Sequence, residues 1–315
     1  MRLVFLGTPT FAVPSLERVL EAGHQVLGVY TQPDRPKGRG GHLAVSPVKE
    51  AASRIGLPVH QPARIRRPEV VEQLRDFHSD AMVVVGYGQI IPQAIIDLPR
   101  LGIINVHGSL LPKYRGAAPL QWAIANGEAV TGVTTMRINA GLDTGDMLLK
   151  FDTAIGEEET AIELGERLAK AGADLLVETL SGLERGTIVP QPQNDAEATL
   201  APILAKEDGR IDWNWPASKI HCRMRGFQPW PGAFTTFRGQ LFHIWKAHRR
   251  QESLGQPGEL ALRGKRLMVA CGEGTSLELV EVQLEGRKRV AAQAFANGYR
   301  FAGNEMLGIE AGTEK

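Results

Sequence analysis

The sequence predicts an α/β protein. A Rossmann-like, doubly wound, mostly parallel sheet comes first, and a small C-terminal β-barrel or sandwich follows. Three observations predict it. Apolar runs of strand length alternate with helical patterns through the first half, the rhythm of a parallel sheet with helices on both faces. The stretch "PQPQNDAEATLAP" (190–202) then breaks all periodicity and reads as a linker. Beyond it come short β-like runs, "GAFTTF", "LFHIWKA", "PGELAL", "RLMVACG" and "SLELVEVQLEG". Gly, Pro and Arg punctuate them, as in a small barrel or sandwich.

The elements follow in order. "RLVFL" (2–6) is the first strand. "PSLERVLEAG" (14–23) is a helix with Pro near its start and Gly23 at its end. "QVLGVYT" (25–31) is the next strand. "SPVKEAASRIG" (46–56) is a helix with Ser46 as N-cap and Pro47 at the first position. Helix "PEVVEQLRDF" (68–77) leads to strands "AMVVVGY" (81–87) and "GIINV" (102–106). "GVTTMRIN" (132–139) and "DMLLKFDTAI" (146–155) are two strands around a loop. "ETAIELGERLAKAGADLLVETLSG" (159–182) carries the longest amphipathic helical pattern. The expected division is a catalytic domain over 1–189, a linker over 190–205 and a barrel domain over 206–315.

Composition bounds the function. A chain of 315 residues accommodates two domains, and 43% hydrophobic residues exclude wholesale disorder. No apolar stretch approaches the roughly 18–20 residues that span a bilayer, and "LVFL" at the start is too short for a signal peptide. With two cysteines, Cys222 and Cys271, there is no disulfide framework. These features predict a cytoplasmic protein with no membrane partner. The net charge is +1, but residues 206–315 carry 17 Lys and Arg against 12 Asp and Glu. That excess fits a nucleic-acid surface and an ordinary solvated one alike.

Chemistry concentrates in "NVHGSLLPKYRGAAP" (105–119). Side chains alternate along a strand, so Asn105 and His107 project together from its carboxyl end, the edge where α/β sheets bind ligands. An amide and an imidazolium side by side can both donate to the oxyanion of an acyl-transfer intermediate. An Asx turn beside a hydrogen-bonded core histidine has the same letters. In "GLDTGDML" (141–148), Asp143 lies between glycines in a strand connection, where a carboxylate can orient His107 and favour its protonated form. Any tight connection of Gly, Asp and Thr also looks like this.

Two phosphate signatures are missing. "GTPTFAVPS" (7–15) lacks the GxGxxG spacing of a dinucleotide site, and no P-loop occurs. The βα connection "TQPDRPKGRGGHLAVSPVK" (31–49) is unusually long. It carries Arg35, Lys37, Arg39, His42 and Lys49 against Asp34, and glycines 38, 40 and 41 make it pliant. A long basic loop near the ligand edge suits a phosphate backbone, and a solvated insertion has the same composition.

Taken together, "FLGTP", "TQPDRPKGRG", "SPVK", "VVVGYGQIIP", "INVHGSLLPKYRGAAP", "GVTTMRINAGLDTGDML" and "GFQPWPGAF" resemble the folate-dependent formyltransferases. The resemblance covers most of residues 1–235 and continues weakly through the barrel-like remainder; the last fifteen residues are uninformative. It implies the formyltransferase fold followed by a small OB-like C-terminal β-barrel, with 10-formyltetrahydrofolate as donor. The basic loop and the extra C-terminal domain imply the α-amine of methionine on initiator tRNA as acceptor. Asn105, His107 and Asp143 match the family's catalytic Asn, His and Asp. Ser109, Leu110, Leu111 and Pro112 match its folate-binding segment. Gly86, Tyr87, Gly88 and Ile90 fall in the segment (83–92) that would line the pterin slot. Arg35, Lys37 and Arg39 would meet the tRNA. No metal or nicotinamide is implied, and a monomer is expected. His24, His42, His60, His78, His221, His243 and His248 show no ligand spacing and read as structural or surface residues.

Three rivals share these letters. Formyl transfer to a small amine would need no tRNA. An RNA-binding protein on an inactive scaffold would show no turnover. A formyltetrahydrofolate hydrolase would release formate without any acceptor.

Overall fold

The computed structural model describes residues 1–37, 42–299 and 305–309. The chain forms two compact units, each assembled from separate segments. Residues 1–119, 130–154 and 164–202 make the first; 120–129, 155–163 and the chain from 203 onward make the second.

The first unit is built on seven strands: β1 (Arg2–Gly7), β2 (Gln25–Tyr30), β3 (Val59–His60), β4 (Ala81–Val85), β5 (Ile103–His107), β6 (Val130–Arg137) and β7 (Met147–Ala154). Their order across the sheet is β3-β2-β1-β4-β5-β6-β7. The first five run parallel, and β6 and β7 close one edge antiparallel. Strand order therefore reverses between β1 and β4, and the carboxyl ends of strands at such a reversal are where open α/β sheets bind ligands.

Both faces are covered, as the near-continuous apolar strands require. On one face, helix α1 (Pro68–Asp76) supplies Val70, Val71 and Leu74 to a core with Val4, Leu6, Met82, Val84 and Ile103. On the other face lies the long helix α2 (Ala161–Arg185), which belongs to this unit from Leu164 onward. It comes close at Gly172, where a Cβ would stand 2.9 Å from Val106 Cγ1. The helix over Pro47–Arg54 starts as its letters predict, with Ser46 Oγ accepting from Lys49 N at 3.1 Å.

The second unit is a small antiparallel barrel. Strands β8 (Ala233–Phe237), β9 (Gln240–Arg250), β10 (Leu260–Arg263), β11 (Arg266–Ala270) and β12 (Ser276–Leu284) lie in the order β8-β9-β12-β11-β10. Residues 305–309 bring the two ends together: Met306 bridges Glu259 beside β10, and Leu307 bridges Phe237 of β8. Leu307 N donates to Gly258 O at 2.8 Å, and Gly308 N donates to Thr236 O at 2.9 Å. Inside lie Phe237, Phe242, Ile244, Leu277, Val282 and Leu307. Two helices unforeseen in the sequence, Ala217–Gly226 and Ala292–Gly298, add Ile220, Met224 and Phe295 to this core.

The stretch expected to be a linker over 190–205 is, as far as residue 202, part of the first unit. Its apolar content is too low to show periodicity, yet it is held by polar and backbone bonds. Gln191 pairs with Met147, and Leu200 and Ala201 form a two-residue parallel ladder with Arg115 and Gly116. Likewise the segments 120–129 and 155–163, expected within the catalytic domain, cluster with the second unit. Among the described residues no helix is long and apolar enough to cross a membrane.

Candidate active site

Strand β5 sets the site. Val106 points to the α2 face, so Asn105 and His107 point to the opposite one, and both are buried. The turn between β6 and β7 delivers the third group. Asn139 Oδ1 accepts from Gly141 N at 3.0 Å and from Thr144 Oγ1 at 2.9 Å, an Asx-type closure. Gly145 sits where a Cβ would fall 1.8 Å from the Arg137 carbonyl, so only glycine fits. Within this turn Asp143 adopts the left-handed φ of +51°.

The carboxylate of Asp143 meets both strand residues. Asn105 Nδ2 donates to its Oδ1 at 3.4 Å, and His107 Nδ1 lies 3.7 Å from its Oδ2. Gly116 N donates to the same Oδ2 at 2.9 Å. On the far side of the ring, His107 Nε2 lies 2.9 Å from the Tyr114 carbonyl. A carbonyl only accepts, so Nε2 carries a proton, and Nδ1 is the ring nitrogen that faces the Asp143 carboxylate.

Beside this cluster is the crevice at the β1/β4 reversal. Gly86, at φ +58°, passes so close to Pro9 that a Cβ would meet its Cγ at 2.8 Å. The Tyr87 carbonyl accepts from Thr8 Oγ1 at 3.1 Å and from Gln32 Nε2 at 2.9 Å. Those bonds fix the 86–90 segment against the end of β1. Gly88 is again left-handed, at φ +81°, and Ile90 is 89% exposed. Peptide groups, glycines and one bare apolar side chain give this rim the chemistry that suits a flat, hydrogen-bonding heterocycle.

The Ser109–Pro112 segment turns away from solvent. Ser109 Oγ donates to the Lys113 carbonyl at 2.6 Å, so its hydroxyl is committed to its own turn. Leu111 is buried against Met136 and Met147. Pro112 is buried and Leu110 half-buried. The basic connection is a ribbon at its described ends, where Arg35–Lys37 pairs antiparallel with His42–Ala44. Lys49 Nζ and Gln61 pin its foot to Asp34 at 2.5 and 2.8 Å, and those hydrogen bonds hold the Asp34 carboxyl below its ordinary range. Arg35 is exposed at the start of the ribbon. Lys37 has its backbone there, and Arg39 lies outside the described residues. Sequence reasoning missed Thr8, Gln32 and Gln193, which act through long-range contacts with backbone groups, and Tyr114, whose own carbonyl meets the His107 ring.

A model of the family described as "Formyl transferase" matches residues 1–180, and one described as "Formyl transferase, C-terminal domain" matches residues 203–300. The chain belongs to the formyltransferase family. This formyltransferase is 66% identical over 308 residues to "Methionyl-tRNA formyltransferase" of Solibacter usitatus, covering 98% of this chain and 99% of that one. It is 60% identical over 309 residues to the protein of the same name from Koribacter versatilis, with coverage of 98% and 99%. Among solved structures, its fold resembles an N-formyltransferase from Helicobacter canadensis in complex with folinic acid and dTDP-3-aminofucose. The TM-score there is 0.66, at 19% identity, covering 88% of this chain and 98% of that one. HypX from Aquifex aeolicus in complex with tetrahydrofolic acid aligns with a TM-score of 0.64 at 18% identity, over 94% of this chain and 46% of that one.

Proposed function

We propose that this formyltransferase moves the formyl group of 10-formyltetrahydrofolate to the free α-amine of methionine esterified to initiator tRNA. The observation that carries the reaction is the meeting of Asn105, His107 and Asp143 at the carboxyl edge of the sheet. The acceptor rests on relatives named methionyl-tRNA formyltransferase that are 66% and 60% identical over nearly the whole chain.

The folate supplies an activated formyl carbon on nitrogen. The chain supplies three things. Asn105 Nδ2 and protonated His107 Nδ1 donate to the formyl oxygen as negative charge gathers on it. Asp143 keeps both donors aimed and takes the proton that the attacking amine loses, directly or through water. The segment 86–90, with Gly86, Tyr87, Gly88 and Ile90, holds the pterin by backbone groups, and Ser109, Leu110, Leu111 and Pro112 shape the wall of the same pocket. As the new C–N bond forms and the old one breaks, the departing folate nitrogen takes up the proton that the amine gave to Asp143. Arg35, Lys37 and Arg39 hold the acceptor stem. The protein works as a cytoplasmic monomer in this reading.

The test is formyl transfer with charged initiator tRNA, charged elongator tRNA, free methionine or no acceptor. Transfer confined to charged initiator tRNA is expected. Equal transfer to a small amine, formate release without acceptor, or no turnover at all would each overturn the reading in favour of one rival.

A further inference from the structure

Residues 191–201 bond to both loops that flank the His107–Asp143 pair. On one side, Thr199 Oγ1 accepts from Tyr114 N at 2.9 Å, and the Thr199 carbonyl accepts from Arg115 N at 2.8 Å. These bonds set the peptide whose carbonyl takes the His107 Nε2 proton. On the other side, Gln193 Nε2 donates to the Asp143 carbonyl at 2.7 Å and to the Gly145 carbonyl at 2.8 Å. Its Oε1 accepts from Arg115 Nε at 3.0 Å, and Arg115 in turn donates to Asp195 Oδ1 at 2.7 Å. The Gln193 amide thus uses both hydrogens and its oxygen on the two loops that present Asp143 and Tyr114.

We infer that residues 191–201 form a strap that aligns the catalytic pair, with Gln193 as the positioning residue for Asp143. Asp143 needs such a hold because its left-handed φ of +51° costs energy in a residue with a Cβ. A left-handed turn released from its carbonyl anchors relaxes, and the carboxylate leaves the 3.4 and 3.7 Å contacts with Asn105 and His107. Displacement of a catalytic group by about 1 Å costs about 10²-fold in rate. Gln193 touches no reacting atom in this account. Its loss therefore acts on kcat, through Asp143, and leaves substrate binding intact. The inference rests on the active-site reading above.

A double-mutant cycle tests it, with Gln193→Met, Asp143→Asn and their combination in the full chain. Gln193→Met keeps the shape and removes all three polar bonds. It is expected to lower kcat about 10²-fold while the KM for charged tRNA and the folate Kd stay at wild-type values. The combined variant is expected to be no slower than Asp143→Asn alone, because both changes act on one carboxylate. Gln193→Glu serves as a second variant in case the first is poorly folded. It keeps the Arg115 contact and turns an oxygen on the two carbonyls, so it should lose kcat as well. A strap that only holds Arg115 would leave Gln193→Glu fully active, which overturns the inference. Multiplying losses in the combined variant overturn it too. Wild-type kcat in Gln193→Met beside a slow Asp143→Asn overturns the inference alone, whereas wild-type kcat in Asp143→Asn overturns the active-site reading as well.

Discussion

The Tyr114 carbonyl accepts a hydrogen bond from His107 Nε2, which leaves Nδ1 as the ring nitrogen beside the Asp143 carboxylate. The i, i+2 spacing of Asn105 and His107 was legible because a strand's alternation is local. Asp143 was legible as a carboxylate in a tight turn. His107 was legible as a candidate partner, but their meeting was not, since the two lie 36 positions apart and only the folded sheet closes that gap. The roles of Tyr114 and Gln193 leave no signal in the letters, because each works through a backbone carbonyl. The two cysteines give a residue-scale prediction. Burial pushes the Cys271 thiol up to about 12, while Cys222 is half-buried. At pH 8 a thiol reagent should label Cys222 in the folded protein and reach Cys271 only on unfolding, as mass spectrometry of timed samples would record. Equal labelling rates would contradict the buried placement.

Two elements behave differently from their composition. The basic connection reads as a mobile insertion, and its ends form a ribbon whose foot is clamped by Lys49, Asp34 and Gln61. If its cations hold tRNA phosphates, Arg35→Ala should make the salt dependence of tRNA binding shallower by roughly 0.7–0.9 in the log–log slope per lost contact. Folate binding should not change. An unaltered slope would remove Arg35 from the tRNA surface. The segment 305–309 had no legible strand pattern, because its pairing partners are backbone groups near Gly258 and Thr236 rather than an alternating face. It nevertheless buries Leu307 in the barrel core. Leu307→Ala should cost about 2–5 kcal/mol in denaturant unfolding. A cost below about 0.5 kcal/mol, the range of surface changes, would mean the barrel does not depend on this closure.

At the scale of the molecule, the α/β rhythm and the barrel runs were legible, and so was the order of the elements. The discontinuity was not. Trp122 packs edge-on to Phe227 at 5.3 Å between ring centres, and Arg225 Nη1 donates to the carbonyls of Gly156 and Glu159 at 3.0 and 2.7 Å. Pairings across 66 to 105 positions of sequence have no local signature. Histidines from both units share one electrostatic property. Burial lowers the pKa of His24, His60, His221 and His243, so the folded state favours their neutral forms. The unfolded chain then binds more protons once pH falls below the ordinary histidine value of about 6.5. Stability from these groups is present above that pH and is lost as pH falls below it. The denaturant midpoint should therefore drop between pH 7.5 and 5.5, with proton uptake on unfolding, and a flat profile would contradict it.

The central claim is that Asn105 and His107 stabilise the oxyanion of formyl transfer to methionyl-tRNA. The most direct measurement is kcat for formylation of charged initiator tRNA by Asn105→Ala and His107→Ala, beside the folate dissociation constant of each. Each variant is expected to lose kcat by about 10²–10³-fold, with folate binding largely kept. Near-normal kcat in either variant would contradict it.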